Sequence, residues 1–115
     1  MKTAHKTKII SHQYLDRRSL ALHREVARML EIDPSLIKTA QNNIRRWIKS
    51  YKKSGSPIPA SLKEWAHILA KESRNNIIHL LKARSEKAKR LRQSSPFAGI
   101  IPNKVRNQII ESFSD

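Results

Sequence analysis

Leu91-Arg92-Gln93-Ser94-Ser95-Pro96-Phe97-Ala98-Gly99-Ile100-Ile101-Pro102 is the stretch on which the fold turns. A basic helical pattern runs into it and a short apolar one leaves it. Between them stand two serines, two prolines, a glycine and one of the chain's two phenylalanines. Such a mixture can neither continue a helix nor remain a wholly solvated linker. The expected arrangement has Phe97 and Ile100-Ile101 closing the bottom of a helical core while Pro96 and Gly99 make the bends. Anchored in that way, the turn can present Arg92, Gln93, Ser94 and Ser95 to a partner.

Upstream, Ser85 begins a charged stretch from Glu86 to Gln93 whose one large apolar residue is Leu91, so one side of it must face solvent or a partner. Before it, Ile77, Ile78, Leu80 and Leu81 predict a short buried helix, entered from a break at Glu72–Asn76. Ser61-Leu62-Lys63-Glu64 reads as a capping box opening a helix that carries Leu62, Trp65, Ala66, Ile68 and Leu69. A tryptophan on such an apolar stripe is expected in the core. The turn-rich Ser54-Gly55-Ser56-Pro57-Ile58-Pro59 connects back to the clearest helix in the chain, about Pro34 to Tyr51, with Leu36/Ile37, Ala40, Ile44, Trp47/Ile48 and Tyr51 along one side.

Asp33 is the expected cap of that helix and Pro34 lies in its first turn. An earlier amphipathic helix follows Leu15, Leu22, Val26 and Met29/Leu30, with Asp16 its expected N-cap. Its polar face, Arg17, Arg18, Arg24, Glu25 and Arg28, is offset by Asp16, Glu31 and Asp33 and reads as a solvated face with local ion pairs. Downstream of the central turn, Pro102 opens a last helix with Val105, Ile109, Ile110 and Phe113 facing inward. The pattern as a whole predicts an all-α fold, a compact bundle of five to six short helices with a basic surface and no significant sheet or repeat. Residues 1–13 are expected to be a flexible basic arm and residues 14–115 a single helical domain.

Charge is the loudest global signal. The chain has 24 Lys+Arg against 9 Asp+Glu, a formal net charge of +15, and residues 34–54 and 73–93 each carry +6 of it. In the first of these lie Lys38, Arg45, Arg46, Lys49, Lys52 and Lys53, more cations than a helix dipole needs. The second adds Arg84, Lys87, Lys89 and Arg90. Localised excess of this kind predicts attraction to a polyanion, either nucleic acid or an acidic protein face. A helix-turn-helix is one way to use it, with Arg74, Asn75 and Asn76 at the start of a recognition helix after Leu62–Leu69, although the turn lacks the usual glycine.

Other classes lose support. With no cysteine there is no disulfide, thiolate metal site or cysteine nucleophile. The five histidines form no metal pattern, and two glycines cannot build a phosphate loop. No enzyme activity, cofactor, metal or small-molecule substrate is therefore expected. No apolar run approaches a membrane span and no signal-peptide core follows the basic start, so a cytoplasmic protein with no membrane partner is expected.

Two motifs, Tyr14-Leu15-Asp16-Arg17-Arg18-Ser19-Leu20-Ala21-Leu22-His23-Arg24 and Leu91-Arg92-Gln93-Ser94-Ser95-Pro96-Phe97-Ala98-Gly99-Ile100, together resemble a family of small prokaryotic helical proteins. That family is associated with toxin–antitoxin-like gene pairs, often beside a nucleotidyltransferase-like partner. The resemblance covers most of residues 14–110, with Trp47 and Trp65 at familiar places. The chain departs from the pattern in its basic middle and in Asn103-Lys104, where acidic residues are more familiar. The resemblance implies that Asp16, Arg17, Arg18 and His23 meet the Arg92–Phe97 turn, with Asp16 or His23 hydrogen-bonding Arg92, Ser94 or Ser95. It also implies a non-catalytic, antitoxin-like protein that binds a cognate toxin enzyme through Arg92, Gln93, Ser94, Ser95, Phe97, Arg17, Arg18 and His23. The alternative expectation is a DNA- or RNA-binding regulator that uses the basic helical faces.

Overall fold

In a computed structural model of the chain, residues 12–112 are described. They form six helices, α1 (His12–Ile32), α2 (Leu36–Ser54), α3 (Ala60–Lys71), α4 (Arg74–Lys82), α5 (Glu86–Arg92) and α6 (Asn103–Glu111), and no strand occurs among the described residues. The expected arm at 1–13 lies outside them except for His12 and Gln13, which belong to the first turn of α1. Phe113 also lies outside.

α1 is the central element. It buries His23, Val26, Ala27 and Leu30, at the three- and four-residue spacing of one helical face. That face packs chiefly on α4, and α1 also touches α2, α5 and α6. α2 and α3 form a separate packed pair, joined to the rest through a shared core that includes Ala40, Ile44, Leu62, Trp65, Ile77, Leu81, Leu91, Phe97 and Ile101. α6 is peripheral: Val105, Ile109 and Ile110 are only half-buried.

Trp65 stands fully buried at the centre. Its indole Nε1–H donates to the Leu91 carbonyl at 2.8 Å, which ties α3 to the end of α5. The Phe97 ring meets it edge-on, with centroids 6.0 Å apart and planes at 72°. Beyond Leu91 the chain turns tightly: the Ser94 N–H bonds Leu91 O, Ala98 N–H bonds Ser95 O, and Ile100 N–H bonds Phe97 O. Gly99 takes φ 84°, and Phe97 and Ile101 are buried, so the turn is closed from inside as its apolar residues require.

Helix starts differ from expectation at two places. Asp16 is not an N-cap, because α1 begins at His12 and places Asp16 in its second turn. Nor does Ser61-Leu62-Lys63-Glu64 form a capping box. α3 begins at Ala60, after an extended Pro59 whose carbonyl already receives the Leu62 and Lys63 N–H groups. Glu64 is drawn instead to Arg90 on α5. Elsewhere, Ser73 and Ser85 cap α4 and α5 by accepting from the Asn76 and Ala88 N–H groups. Asp33 accepts from the Ser35 N–H and hydroxyl ahead of α2.

Candidate functional site

The site is built around Arg92, the last residue of α5. Its side chain runs inward and the residue is only 5% exposed. Nη1 donates to the carbonyls of Leu81 at 3.3 Å and Ala83 at 2.6 Å, where α4 ends. A helix C-terminus leaves carbonyls without intrahelical donors and carries partial negative charge, so a guanidinium suits it twice over. The Nε–H, however, is buried without a partner. Burial pushes the guanidinium pKa down, Asp16 pulls it up, and Arg24 pushes it down again.

Arg92 is a wall shared by two cavities. On one side a groove of about 410 Å³ runs between α1 and α5, with Arg17, Arg24, Arg84, Lys89 and Arg92 around it, Asp16 the one carboxylate among the described residues that line it, and Leu20 and Ala21 lining part of it. On the other side a cavity of about 540 Å³ lies among α1, α2, α3 and the central turn, walled by His23, Trp47, Tyr51, Ser61, Gln93, Ser94 and Ser95.

His23 is 8% exposed. Its Nδ1 lies 2.8 Å from the Ser19 carbonyl, which requires that Nδ1 carry the proton and donate it. Nε2 is then an acceptor, buried and without a partner. Burial lowers the ring's pKa from 6.5 to about 4, against the Ser19 hydrogen bond and with help from Arg92, so the imidazole is neutral at pH 7. Ser94 Oγ, in a residue that lines the same cavity as His23, is also buried without a partner.

α1 and the central turn therefore do meet, but not by the expected hydrogen bonds. His23 is turned into its own helix by the Ser19 carbonyl, and Arg92 is held by the end of α4 rather than by Asp16. Ser95 is buried, and its hydroxyl accepts the Phe97 N–H at 3.1 Å. Phe97, at 1% exposure, belongs to the core and not to the exposed surface of the turn. Gln93 is exposed. Arg17 and His23 fall on opposite sides of Arg92, while Arg18 lies 6.0 Å from the centre of the Tyr14 ring and lines neither cavity.

The six cations of α2 are all exposed. At 100° per residue Lys38, Arg45, Lys49, Lys52, Lys53 and Arg46 fall within an arc of about 120°, opposite the buried Ala40 and Ile44. None is in an ion pair among the described residues; Arg45 and Arg46 bond the side-chain carbonyls of Asn42 and Asn43. The second basic set does not form one face. Arg84 and Lys89 turn with Arg92 toward α1, Lys87 is exposed, and Arg90 turns toward α3, where it makes two bonds to Glu64 and holds that carboxyl below its usual range.

The solvated face expected on α1 makes only one ion pair among the described residues, Arg28 with Glu25, and leaves Arg17 and Arg24 to the groove. Balancing the charges of α1 by number hides this. The spacing of Gln13, Arg17, Leu20, Ala21 and Arg24 marks one helical side and was the signal available. Arg74, Asn75 and Asn76 are exposed in the first turn of α4, but α4 packs on α1 and α3 on α2, so no packed helix-turn-helix pair is formed. Among the described residues there is no cluster of three or more metal-ligating side chains, and no helix is long and apolar enough to cross a membrane. No family model, curated protein or solved structure matches the chain.

Proposed function

We propose that this protein is a non-catalytic binding protein whose cationic surfaces dock on an acidic partner, and that the partner is an enzyme with a nucleotide-type cleft which it neutralises in the manner of an antitoxin. The observation that supports docking is the uncompensated charge: only three ion pairs occur among the described residues, and the α2 cations take part in none of them. Cations that complement a nucleotide cleft speed association and block substrate by occupying its electrostatic niche. The two-motif resemblance supports the antitoxin role.

A second reading is supported by the α2 stripe alone. It extends for roughly 22 Å at 1.5 Å per residue, and it has no exposed large apolar residue at its centre, since Leu15 and Ile32 belong to α1 and Tyr51 falls on the opposite side of α2. Stable protein interfaces have apolar centres, whereas a row of cations without one suits nucleic-acid phosphates.

Co-expression with a candidate toxin encoded beside it, followed by purification through about 1 M salt, separates the readings. A stoichiometric complex that survives, and that restores growth arrested by the toxin alone, is the result expected of the first. Emergence alone at high salt but with nucleic acid at low salt replaces it with the second.

A further inference from the structure

We propose that the groove between α1 and α5 binds a short, multiply charged phosphate chain, of the di- or triphosphate type found in inorganic polyphosphates and nucleotides. This goes beyond the docking reading and does not depend on it.

Three observations carry it. First, among the described residues the groove gathers five cations against one carboxylate. Arg17, Arg24 and Arg84 are in no ion pair among the described residues, and Glu86, which reaches Lys89 at 3.4 Å, is almost wholly exposed and offsets little. Second, the cations come from three places: one side of α1, the last turns of α5 and the loop between α4 and α5. They thus surround a concavity of about 410 Å³, the size range of small-ligand sites. A row on a convex helix, as on α2, follows a nucleic-acid backbone; a ring around a hollow surrounds a compact anion. Third, Arg92 is nine-tenths buried and already oriented by the Leu81 and Ala83 carbonyls, with its Nε–H still without an acceptor.

Holding a guanidinium out of water with no carboxylate bonded to it is costly, and α4 could be capped more cheaply by a neutral donor. The arrangement makes chemical sense for an anion that brings several oxygens to several planar donor forks. Phosphate does this better than a lone carboxylate, because each phosphoryl group accepts in more than one direction and a chain of two or three carries enough charge to match the ring. Leu20 and Ala21 supply an apolar stretch of wall that strengthens those contacts.

Calorimetric titration of the full-length chain at about 150 mM salt, where exposed charges are screened beyond roughly 8 Å, tests the site with sodium tripolyphosphate, ATP and orthophosphate as probes. Tripolyphosphate is expected to saturate at one per chain and to bind at least about tenfold more tightly than orthophosphate. Arg24→Gln and Arg84→Gln, both at exposed positions in no ion pair, should each weaken it about tenfold with the melting temperature kept, while Lys38→Gln and Lys49→Gln on α2 leave it unchanged. ATP binding more tightly than tripolyphosphate assigns the chain to a nucleotide; the reverse assigns it to a free polyphosphate, and both support the site. Absence of saturation, equal loss from the α2 variants, or binding of a single-stranded oligonucleotide without tripolyphosphate overturns it.

Discussion

His23 shows how one residue ties the fold to solution conditions. Its pKa is about 4 in the folded protein and near 6.5 when the chain is unfolded. Above pH 6.5 the ring is neutral in both states and costs nothing. As pH falls from 6.5 toward 4 the unfolded chain takes up the proton and the folded one does not, so stability is lost in that window, by about 3 kcal/mol for this residue. Denaturant midpoints measured across that range should fall for the wild type and fall less for His23→Gln; parallel curves would show that the ring is not held neutral. Arg92 makes a different prediction. Arg92→Ala leaves the Leu81 and Ala83 carbonyls without their donor and opens space in the core, at a cost of about 2 kcal/mol or more, or roughly 10 °C in Tm. An unchanged Tm in a thermal melt would show that Arg92 is no structural latch. The sequence marked both residues through two motifs. It could not show that they bond elsewhere than to each other, because the end of α4 that captures Arg92 is nine and eleven residues away and reaches it only after the chain has turned.

At the scale of elements, one local interaction decides several helix ends, although of these caps the sequence reading names only Asp33. Ser73, Ser85 and Asp33 accept from backbone N–H groups two or three residues ahead, a choice made within one turn. Gly55 ends α2 at φ 74°, with Gly55 N–H bonded to Lys52 O and Ser56 N–H to Tyr51 O. A Cβ there would meet nothing within 4 Å, so the cost of Gly55→Ala is purely conformational, about 1 kcal/mol, and Gly55→Asn should cost less. Chemical denaturation of the two variants checks this; equal stability of Ala and Gly would mean that the turn can adopt another form. Ser61 and Glu64 have the right spacing for a capping box, yet Glu64 pairs with Arg90 twenty-six residues away. Local pattern lost there to a bidentate charged contact that only packing of α5 beside α3 makes available.

For the molecule as a whole, charge placement separates what stabilises the fold from what the surface can do. Replacing Lys38, Arg45, Lys49 and Lys52 together by glutamine removes the outer stripe of α2 without touching the core, so Tm should move little, each exposed change being worth within about 0.5 kcal/mol. If polyanion binding uses that stripe, the slope of log K against log salt should flatten by about 3 to 4, near 0.9 per phosphate contact. An unchanged slope, read by titration at several salt concentrations, would move the polyanion contact off α2. The sequence by itself determined that the protein is helical, where its helices run, and that Trp65, Phe97 and the apolar faces of α1 to α4 are internal, because periodicity and turn chemistry act over a few residues. Only the tertiary structure decided that Arg92 is buried between two cavities, that Arg17 and Arg24 join Arg84 and Lys89 around a groove while Arg90 turns away to Glu64, and that α2 keeps its cations to itself. Those outcomes depend on which helix sides are brought face to face, and that is settled by packing over the whole core.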